Sequence, residues 1–310
     1  MLAIIVEAAV RSLVFAATIW LALKAFRVTN PHIEMAAWRL VLFGSLAMPF
    51  LGGLPSFPVP TGTLPSEGVR ELHSMLSADP PLLLSPSAGP VWPELQAPAV
   101  DWRKLGLAIY LLVAAFLILR LLIGIILTAR LCCSATPVRE SWTLGHEVRA
   151  SASIRAPASF ATTILLPLDY PSWDGTQRDA VMAHESWHVR QGDFYVLLLT
   201  AMNRGVFWFS PLAWWLHGRI RYLAEARSDA AAMRQIDDRV RYAEILLRFG
   251  AATSAEPVGL AMAGTMTVPW RVERILAEAV LPKAMTWKIW VLLIAGMLLV
   301  PARTSRSALR

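Results

Sequence analysis

The segment "AVMAHESWHVRQGD" carries the clearest chemical signal in the chain, because His184, Glu185 and His188 form the pattern H-E-x-x-H. Residues four positions apart share one face of a helix, so both imidazoles can reach one Zn²⁺ at about 2.0–2.1 Å. Glu185 then lies beside the coordination position that is left open. Zinc lowers the pKa of bound water to about 7, and a neighbouring carboxylate can take up that proton and deliver it to a leaving amine. The pattern predicts one catalytic zinc ion, with Glu185 as the catalytic residue that moves the proton.

The segment "AEARSDAAA" can complete the ligand set. Glu225 is the expected third zinc ligand, and Asp229, one helical turn later, is expected to hydrogen-bond a ligand histidine. Two histidines and one glutamate, with a fourth position open, are a ligand set of catalytic zinc sites. By themselves, Glu225 and Asp229 would instead fit a solvated helix face with Arg221 as an ion-pair partner. The two histidines favour the metal site.

Two further roles stay open at the level of sequence. Asp193 follows the end of the zinc helix at Gly192, where it can either cap the next helix or orient His188. An oxyanion also needs a hydrogen-bond donor, and the candidates are His217, Arg221, Tyr222 and Tyr170. We favour His217 as a catalytic residue, because it lies two turns before Glu225 on nearly the same helix face. The alternative is a histidine at the bilayer surface.

The composition identifies the kind of element that must position these residues. Of the 310 residues, 56% are hydrophobic and only 16% are charged, and the mean hydropathy is +0.50. Soluble domains carry about 25% charged residues, and a run of roughly 20 apolar residues spans a bilayer. A fully soluble enzyme is therefore excluded, and the lipid bilayer is an expected partner. The net charge of +7 lies in segments that flank apolar runs, where it sets orientation, so no direct nucleic-acid binding is expected.

We predict a mainly α-helical membrane protein with about four transmembrane helices and a gluzincin-like helical zinc-protease domain. Residues 1–54 are expected to hold two N-terminal transmembrane helices, 55–103 a proline-rich extracytoplasmic loop, and 104–130 the third transmembrane helix. Residues 131–284 are expected to form the cytoplasmic zinc metallopeptidase domain, 285–301 the fourth transmembrane helix, and 302–310 a short tail.

Charge sets the predicted orientation. Ten prolines lie between Pro55 and Pro98, and there Arg70 is the single basic residue against four acidic residues, so this loop should lie outside. The arginine-rich domain that follows the third span then lies in the cytoplasm. Three arginines also follow the last span. That span is therefore either re-entrant, or the earlier helices dominate the orientation.

Within the predicted domain, two β-favouring pieces, "EVRASASI" and "ATTILLP", predict a small β-hairpin or sheet before the zinc helix. Helices are expected over 176–192, 219–233 and 238–251. The apolar stretch 194–220 is long enough to span a bilayer. However, Asn203, Arg204 and Pro211 favour a broken or interfacial helix pair there.

The segments "AHESWHVRQGD", "VFWFSPLAWWLHGRIR" and "EARSDAA" occur in the same order as in membrane metallopeptidases of the BlaR/MecR antirepressor type, and the chain resembles that family. The segments "ILLP", "YAEILL" and "RVERIL" are similar as well. The resemblance implies a zinc domain on the cytoplasmic side of the bacterial inner membrane. It also implies cleavage of a cytoplasmic protein, typically a transcriptional repressor, after a signal crosses the membrane, together with self-cleavage.

The chain departs from the family pattern in two places. It ends at Arg310, so we expect a short member without the extracellular penicillin-binding sensor domain, and β-lactam sensing is not expected. The signal would then enter through the proline-rich loop or a separate sensor subunit. Ser228 stands where the family often has cysteine, and "SFATTILLP" lacks a commonly seen glycine and proline. Ser228 lies between the ligand and Asp229 and need not touch zinc.

Three other functions compete with this interpretation. Heat-shock and CAAX-type membrane zinc proteases share H-E-x-x-H-x4-D and a downstream E-x3-D, but the "FWFSPLAWW" block favours the antirepressor type. A non-catalytic signal transducer could use zinc only to hold its helices together. A channel or transporter is suggested only by the several spans and by Glu7, Arg11 and Arg120.

Overall fold

The computed structural model describes residues 2–50, 101–236, 238–253 and 268–277. The described chain is mainly helical with one small sheet, which confirms the predicted fold class. Its helices are α1 (Leu2–Ala25), α2 (Pro31–Ala47), α3 (Trp102–Ser134), α4 (Gly175–Gln191), α5 (Asp193–Val206), α6 (Pro211–Gln235), α7 (Arg239–Thr253) and α8 (Val268–Leu276). Most of the predicted loop 55–103, the predicted span 285–301 and the tail 302–310 lie outside the described residues.

Among the described residues, three helices are long and apolar enough to cross a membrane: α1, α2 with the 3-10 turn that extends it to Phe50, and α3. Helix α2 begins at Pro31, because Asn30 caps it by accepting a hydrogen bond from the His32 amide and Pro31 takes the first helical position. The 33 residues of α3 give a length of about 50 Å, so it extends beyond a hydrocarbon core of about 30 Å. Inside α1, Arg11 pairs with Glu7 at 2.6 Å.

The sheet has four strands in the order β1-β2-β4-β3. Its strands are β1 (Thr136–Pro137), β2 (Glu147–Ser151), β3 (Ala158–Phe160) and β4 (Thr163–Pro167). Strand β4 pairs antiparallel with β3 and parallel with β2. The two predicted pieces, which contain β2 and β4, are therefore parallel neighbours in a small sheet and do not form a hairpin with each other. The buried side chains of Val148, Ile164 and Leu166 pack against Val181 of α4. The sheet thereby supports the helix that carries H-E-x-x-H.

Helices α4 and α6 position the predicted site. Asp174 caps α4 by accepting from the Gln177 amide at 2.7 Å, and the helix ends at Gly192, whose φ of 63° lies in the left-handed region that glycine favours. Helix α6 runs without interruption through 25 residues, from Pro211 to Gln235. The apolar stretch 194–220 is therefore divided before Pro211, while Asn203 stays inside α5.

The hairpin of α5 and α6 lies along the candidate spans. Leu216 and Ile220 of α6 share a buried core with Trp38 and Leu42 of α2. At the turn of the hairpin, Phe207 packs against Ala8 of α1. Ala8 lies about 24 Å along α1 from Lys24. The helices that carry the predicted site thus pack directly against the candidate spans.

Three polar contacts join the α5–α6 hairpin to this bundle. The Ser45 hydroxyl donates to Asn203 Oδ1 at 3.0 Å, and the Tyr110 hydroxyl donates to the Val206 carbonyl at 3.0 Å. Arg219 of α6 forms an ion pair with Glu34 of α2. Each contact joins the α5–α6 hairpin to a different part of the span bundle.

Candidate metal centre

The packing of α4 against α6 brings the three predicted zinc ligands together. Suitable ligand atoms of His184, His188 and Glu225 all lie within 4.8 Å of one another. The Nε2 atoms of the two histidines are 3.3 Å apart. Each Nε2 lies 3.8 Å from one carboxylate oxygen of Glu225. The three side chains therefore point at a common centre.

These separations fit a zinc ion. Ligand atoms at about 2.0–2.2 Å from zinc in a tetrahedral arrangement lie about 3.3–3.6 Å from each other. The observed separations of 3.3 and 3.8 Å differ from that range by at most a few tenths of an ångström. Three protein ligands leave one tetrahedral position for water or substrate. Glu185 is buried on the same helix, between the two histidines in sequence.

Asp193 holds His188. Its Oδ2 lies 3.0 Å from Nδ1 of the imidazole, and its Oδ1 accepts from Arg39 of α2 at 3.0 Å. The cap position of α5 is taken by Gly192, and the side chain of Asp193 instead contacts His188 and Arg39. Burial lowers the pKa of His188, but the hydrogen bond with Asp193 and the charge of Glu225 outweigh it and raise the pKa to about 9.

Asp229 holds His184. The carboxylate is fully buried, and its Oδ1 lies 3.3 Å from Nδ1 of the imidazole. The Tyr242 hydroxyl bridges the two, 2.9 Å from Asp229 Oδ1 and 3.0 Å from His184 Nδ1. A solvated helix face, which was the alternative for Asp229, is therefore wrong. Burial and the charge of Asp229 raise the pKa of Tyr242 well above its ordinary value, so the hydroxyl keeps its proton.

Two arginines of α8 neutralise the acidic side of the site. Arg271 contacts Glu225 Oε2 at 3.0 Å and Asp229 Oδ1 at 2.5 Å, and Arg274 contacts Asp229 Oδ2 at 3.1 Å. Burial raises the pKa of both carboxyls, but the Arg271 guanidinium outweighs it and lowers the pKa of each. The site can therefore keep Glu225 and Asp229 charged although both are enclosed.

Sequence reasoning missed the residues that support the ligands: Arg39, Tyr242, Arg271 and Arg274. No spacing rule marks them, since they reach the site from α2, α7 and α8. The one available signal was the family resemblance of "YAEILL" and "RVERIL", which contain Tyr242, Arg271 and Arg274.

The structure does not bring His217 into the cluster of ligands. It is buried, its Nδ1 lies 2.7 Å from the Thr200 hydroxyl, and it precedes Glu225 by about 12 Å along α6. Its catalytic role stays a prediction.

Ser228 lies closer to the ligands than His217 does. Its hydroxyl donates to the Glu225 carbonyl at 3.0 Å and lies 3.3 Å from His184 Nε2.

The other oxyanion candidates occupy different places. Arg221 lies one turn before Glu225 on α6. Tyr222 stacks on Trp270 of α8, with ring centroids 4.5 Å apart, and Tyr170 packs beside Trp142 below the sheet.

The sequence pattern of the BlaR1 peptidase M56 family matches residues 3–275. A shorter stretch is similar to Regulatory protein BlaR1 of Bacillus licheniformis, with 27% identity over 101 residues. This stretch covers 31% of the present chain and 17% of that relative, so the relative is compared over a small part of its length. The match and the three candidate spans support a membrane peptidase with a role in signalling. The resemblance seen in the motifs is confirmed, and the chain belongs to the BlaR1 peptidase M56 family.

Proposed function

We propose that this protein is a membrane-bound zinc endopeptidase that hydrolyses a peptide bond in a cytoplasmic protein as one step of transmembrane signalling. The observation that carries the proposal is the convergence of His184, His188 and Glu225 on one centre, with Glu185 in the same helix. The separations suit zinc, and the glutamate of H-E-x-x-H is the proton carrier that peptide hydrolysis requires.

Each residue of the candidate site has a defined task in this mechanism. His184 and His188 would hold a zinc ion through Nε2 and Glu225 would hold it through its carboxylate, and the ion would supply Lewis acidity and a water of lowered pKa. Glu185 takes up the proton of the attacking water and delivers it to the leaving amine nitrogen. Asp193 and Asp229 hold the ligand imidazoles by Nδ1, which keeps Nε2 free for the metal.

The substrate that we propose is a transcriptional repressor in the cytoplasm, with self-cleavage as a second reaction. The family and the name of the relative, a regulatory protein, support a role in regulation. The basic residues Lys24 and Arg27 at the link of α1 and α2 support a cytoplasmic position for this end of the bundle in the bacterial inner membrane. The signal enters through the proline-rich loop or a separate sensor subunit.

The test compares wild-type protein with Glu185→Gln, both purified in detergent. The variant should keep its zinc and lose cleavage, while His188→Ala and Glu225→Ala should lose zinc as well. Glu244→Gln, which changes an exposed carboxylate on α7, should keep both properties. Cleavage by Glu185→Gln at the wild-type rate would refute the mechanism.

The substrate is identified in cells by mapping new protein N-termini. Cells that express the wild type should contain cut fragments that are absent from cells with Glu185→Gln, and the repressor should be among them. If zinc is bound and no fragment depends on Glu185, the chain is a zinc-stabilised signal transducer and not a protease.

A further inference from the structure

Trp187 of α4 is surrounded by guanidinium groups. Arg190 and Arg227 each lie 5.8 Å from the centre of its indole ring, and Arg234 lies at 5.4 Å. The His32 ring packs edge-on to the same indole, with centroids 6.1 Å apart. Three cations on one aromatic side chain repel each other, so the arrangement calls for a negative charge nearby.

No carboxylate within the described residues pairs with these three arginines. Arg227 is only 5% exposed; its Nε meets His32 at 3.3 Å, its Nη2 meets Gln191 at 2.5 Å, and its Nη1 has no hydrogen-bond partner in the described chain. Asp193 is a nearby acid, but it already binds Arg39 and His188. Leaving a buried guanidinium without an anion is costly, which points to an anionic ligand.

A cleft of about 430 Å³ lies at this cluster. Its lining includes Trp187, Arg190 and Arg234, the polar side chains of Ser186 and Gln235, and the carboxylate of Asp179. Arg234 follows Glu225 by nine residues, or about two and a half helical turns, so the two side chains lie on opposite faces of α6. The cleft therefore opens on the other side of the α4–α6 pair from the metal centre.

The position of the cluster at one end of the candidate spans indicates the kind of anion. His32 lies in the first turn of α2, which is a candidate span, and it contacts both Trp187 and Arg227. Lys24, in the last turn of α1, marks the same end of the bundle. The first turn of a span lies at the bilayer surface, where tryptophan is enriched and lipid phosphates are concentrated.

We propose that the cleft of Trp187, Arg190 and Arg234 binds the phosphate group of an anionic phospholipid from the surrounding leaflet. The planar guanidinium fork matches phosphate oxygens, and Arg190 and Arg234 lie 5.8 and 5.4 Å from the indole centre, within the range of cation–π attraction. The buried charge of Arg227 adds to the positive potential behind the ring. The lipid would fix the position of α4 relative to the bilayer surface on the side away from the metal.

The test measures lipid retention by native mass spectrometry after reconstitution in phosphatidylcholine alone and in phosphatidylcholine mixed with phosphatidylglycerol. The wild type should retain phosphatidylglycerol, and the double variant Arg190→Gln/Arg234→Gln should retain it at least about tenfold less, as expected for the loss of charge-assisted hydrogen bonds. The control, Arg139→Gln/Arg155→Gln, removes the same charge from exposed positions elsewhere and should behave as the wild type. Zinc content and melting temperature confirm that each variant is folded.

Two results would overturn the proposal. The first is equal retention of phosphatidylglycerol by the wild type and the cleft variant. The second is displacement of the lipid by free glycerol phosphate at equal concentration, which would make the cleft a site for a soluble phosphate. Because retention is measured without any substrate, these results are independent of whether the protein is a protease.

Discussion

At the scale of single residues, the site is organised by the Nδ1 atoms of two histidines. Asp193 holds His188, and Asp229 with Tyr242 holds His184. An imidazole that is fixed through Nδ1 presents Nε2 to a metal in one orientation. The sequence identified both aspartates, because each lies within a few residues of a ligand.

Asp229→Asn should weaken zinc binding about 10- to 100-fold, which is the usual effect of changing a group that orients a ligand. The amide keeps the size of the side chain but removes the charge that faces His184, Arg271 and Arg274. Zinc affinity is measured by competition with a chelator. Asp169→Asn, at a half-exposed carboxylate outside the site, should leave the affinity unchanged, and an equal loss there would mean that the effect is nonspecific.

Zinc binding should release protons and tighten with rising pH. With a pKa of about 9, metal-free His188 carries a proton at neutral pH, and zinc must displace it. Below that pKa, affinity should increase up to about tenfold per pH unit for each displaced proton, and it should level off above it. Calorimetry in buffers of different ionisation enthalpy counts the released protons. Affinity that does not change between neutral and mildly alkaline pH would contradict the assignment.

At the scale of elements, the metal centre depends on how the α5–α6 hairpin packs against the spans. Ser45 contacts Asn203, Tyr110 contacts Val206, and Gly205 permits a close approach of α5 to α3. A Cβ at Gly205 would lie 2.7 Å from Cδ1 of Ile118, closer than atoms normally approach. The sequence predicted a broken helix pair in this stretch, but it did not predict which span the pair would touch.

Gly205→Leu should therefore destabilise the protein by about 1–3 kcal/mol, the usual cost of overpacking a close contact. The loss of stability is measured as a fall in the melting temperature of the detergent-solubilised protein. Gly218→Leu on α6 is the matched control, because nothing lies within 4 Å of a Cβ there. If both variants melted at the same temperature as the wild type, the close approach of α3 and α5 would be wrong.

At the scale of the whole molecule, membrane spans and metal centre form one helical body. Helix α3 leads directly into β1, and α6 carries both the core that packs on α2 and the ligand Glu225. A change in the arrangement of the spans would therefore act on α6 without a flexible linker. This continuity gives a physical route from a membrane signal to the site.

The proposed orientation can be tested with a native cysteine. Cys133 is exposed near the end of α3, whereas Cys132 is buried. A membrane-impermeant maleimide should label Cys133 in inverted vesicles and not in intact spheroplasts. A cysteine at Ser66, in the predicted outer loop, should show the reverse pattern in a Cys133→Ser background. Labelling of Cys133 in intact spheroplasts would place the metal centre on the outer side.

The sequence by itself determined the features that depend on local spacing. Hydropathy located the three candidate spans, and the spacing of H-E-x-x-H with E-x-x-x-D predicted His184, His188, Glu225 and Asp229 on helices. These inferences hold because helical periodicity and the length of a span relate neighbours in the chain. The charge network and the cleft do not follow from such rules.

Only the tertiary structure decided which distant side chains complete the site. Tyr242, Arg271 and Arg274 reach the ligands from helices far along the chain, and Arg39 reaches Asp193 from a span. The parallel pairing of β2 with β4 and the arginines around Trp187 likewise depend on packing. The physical reason is that electrostatic partners are chosen by distance in space, and that distance is set by the packing of all helices together.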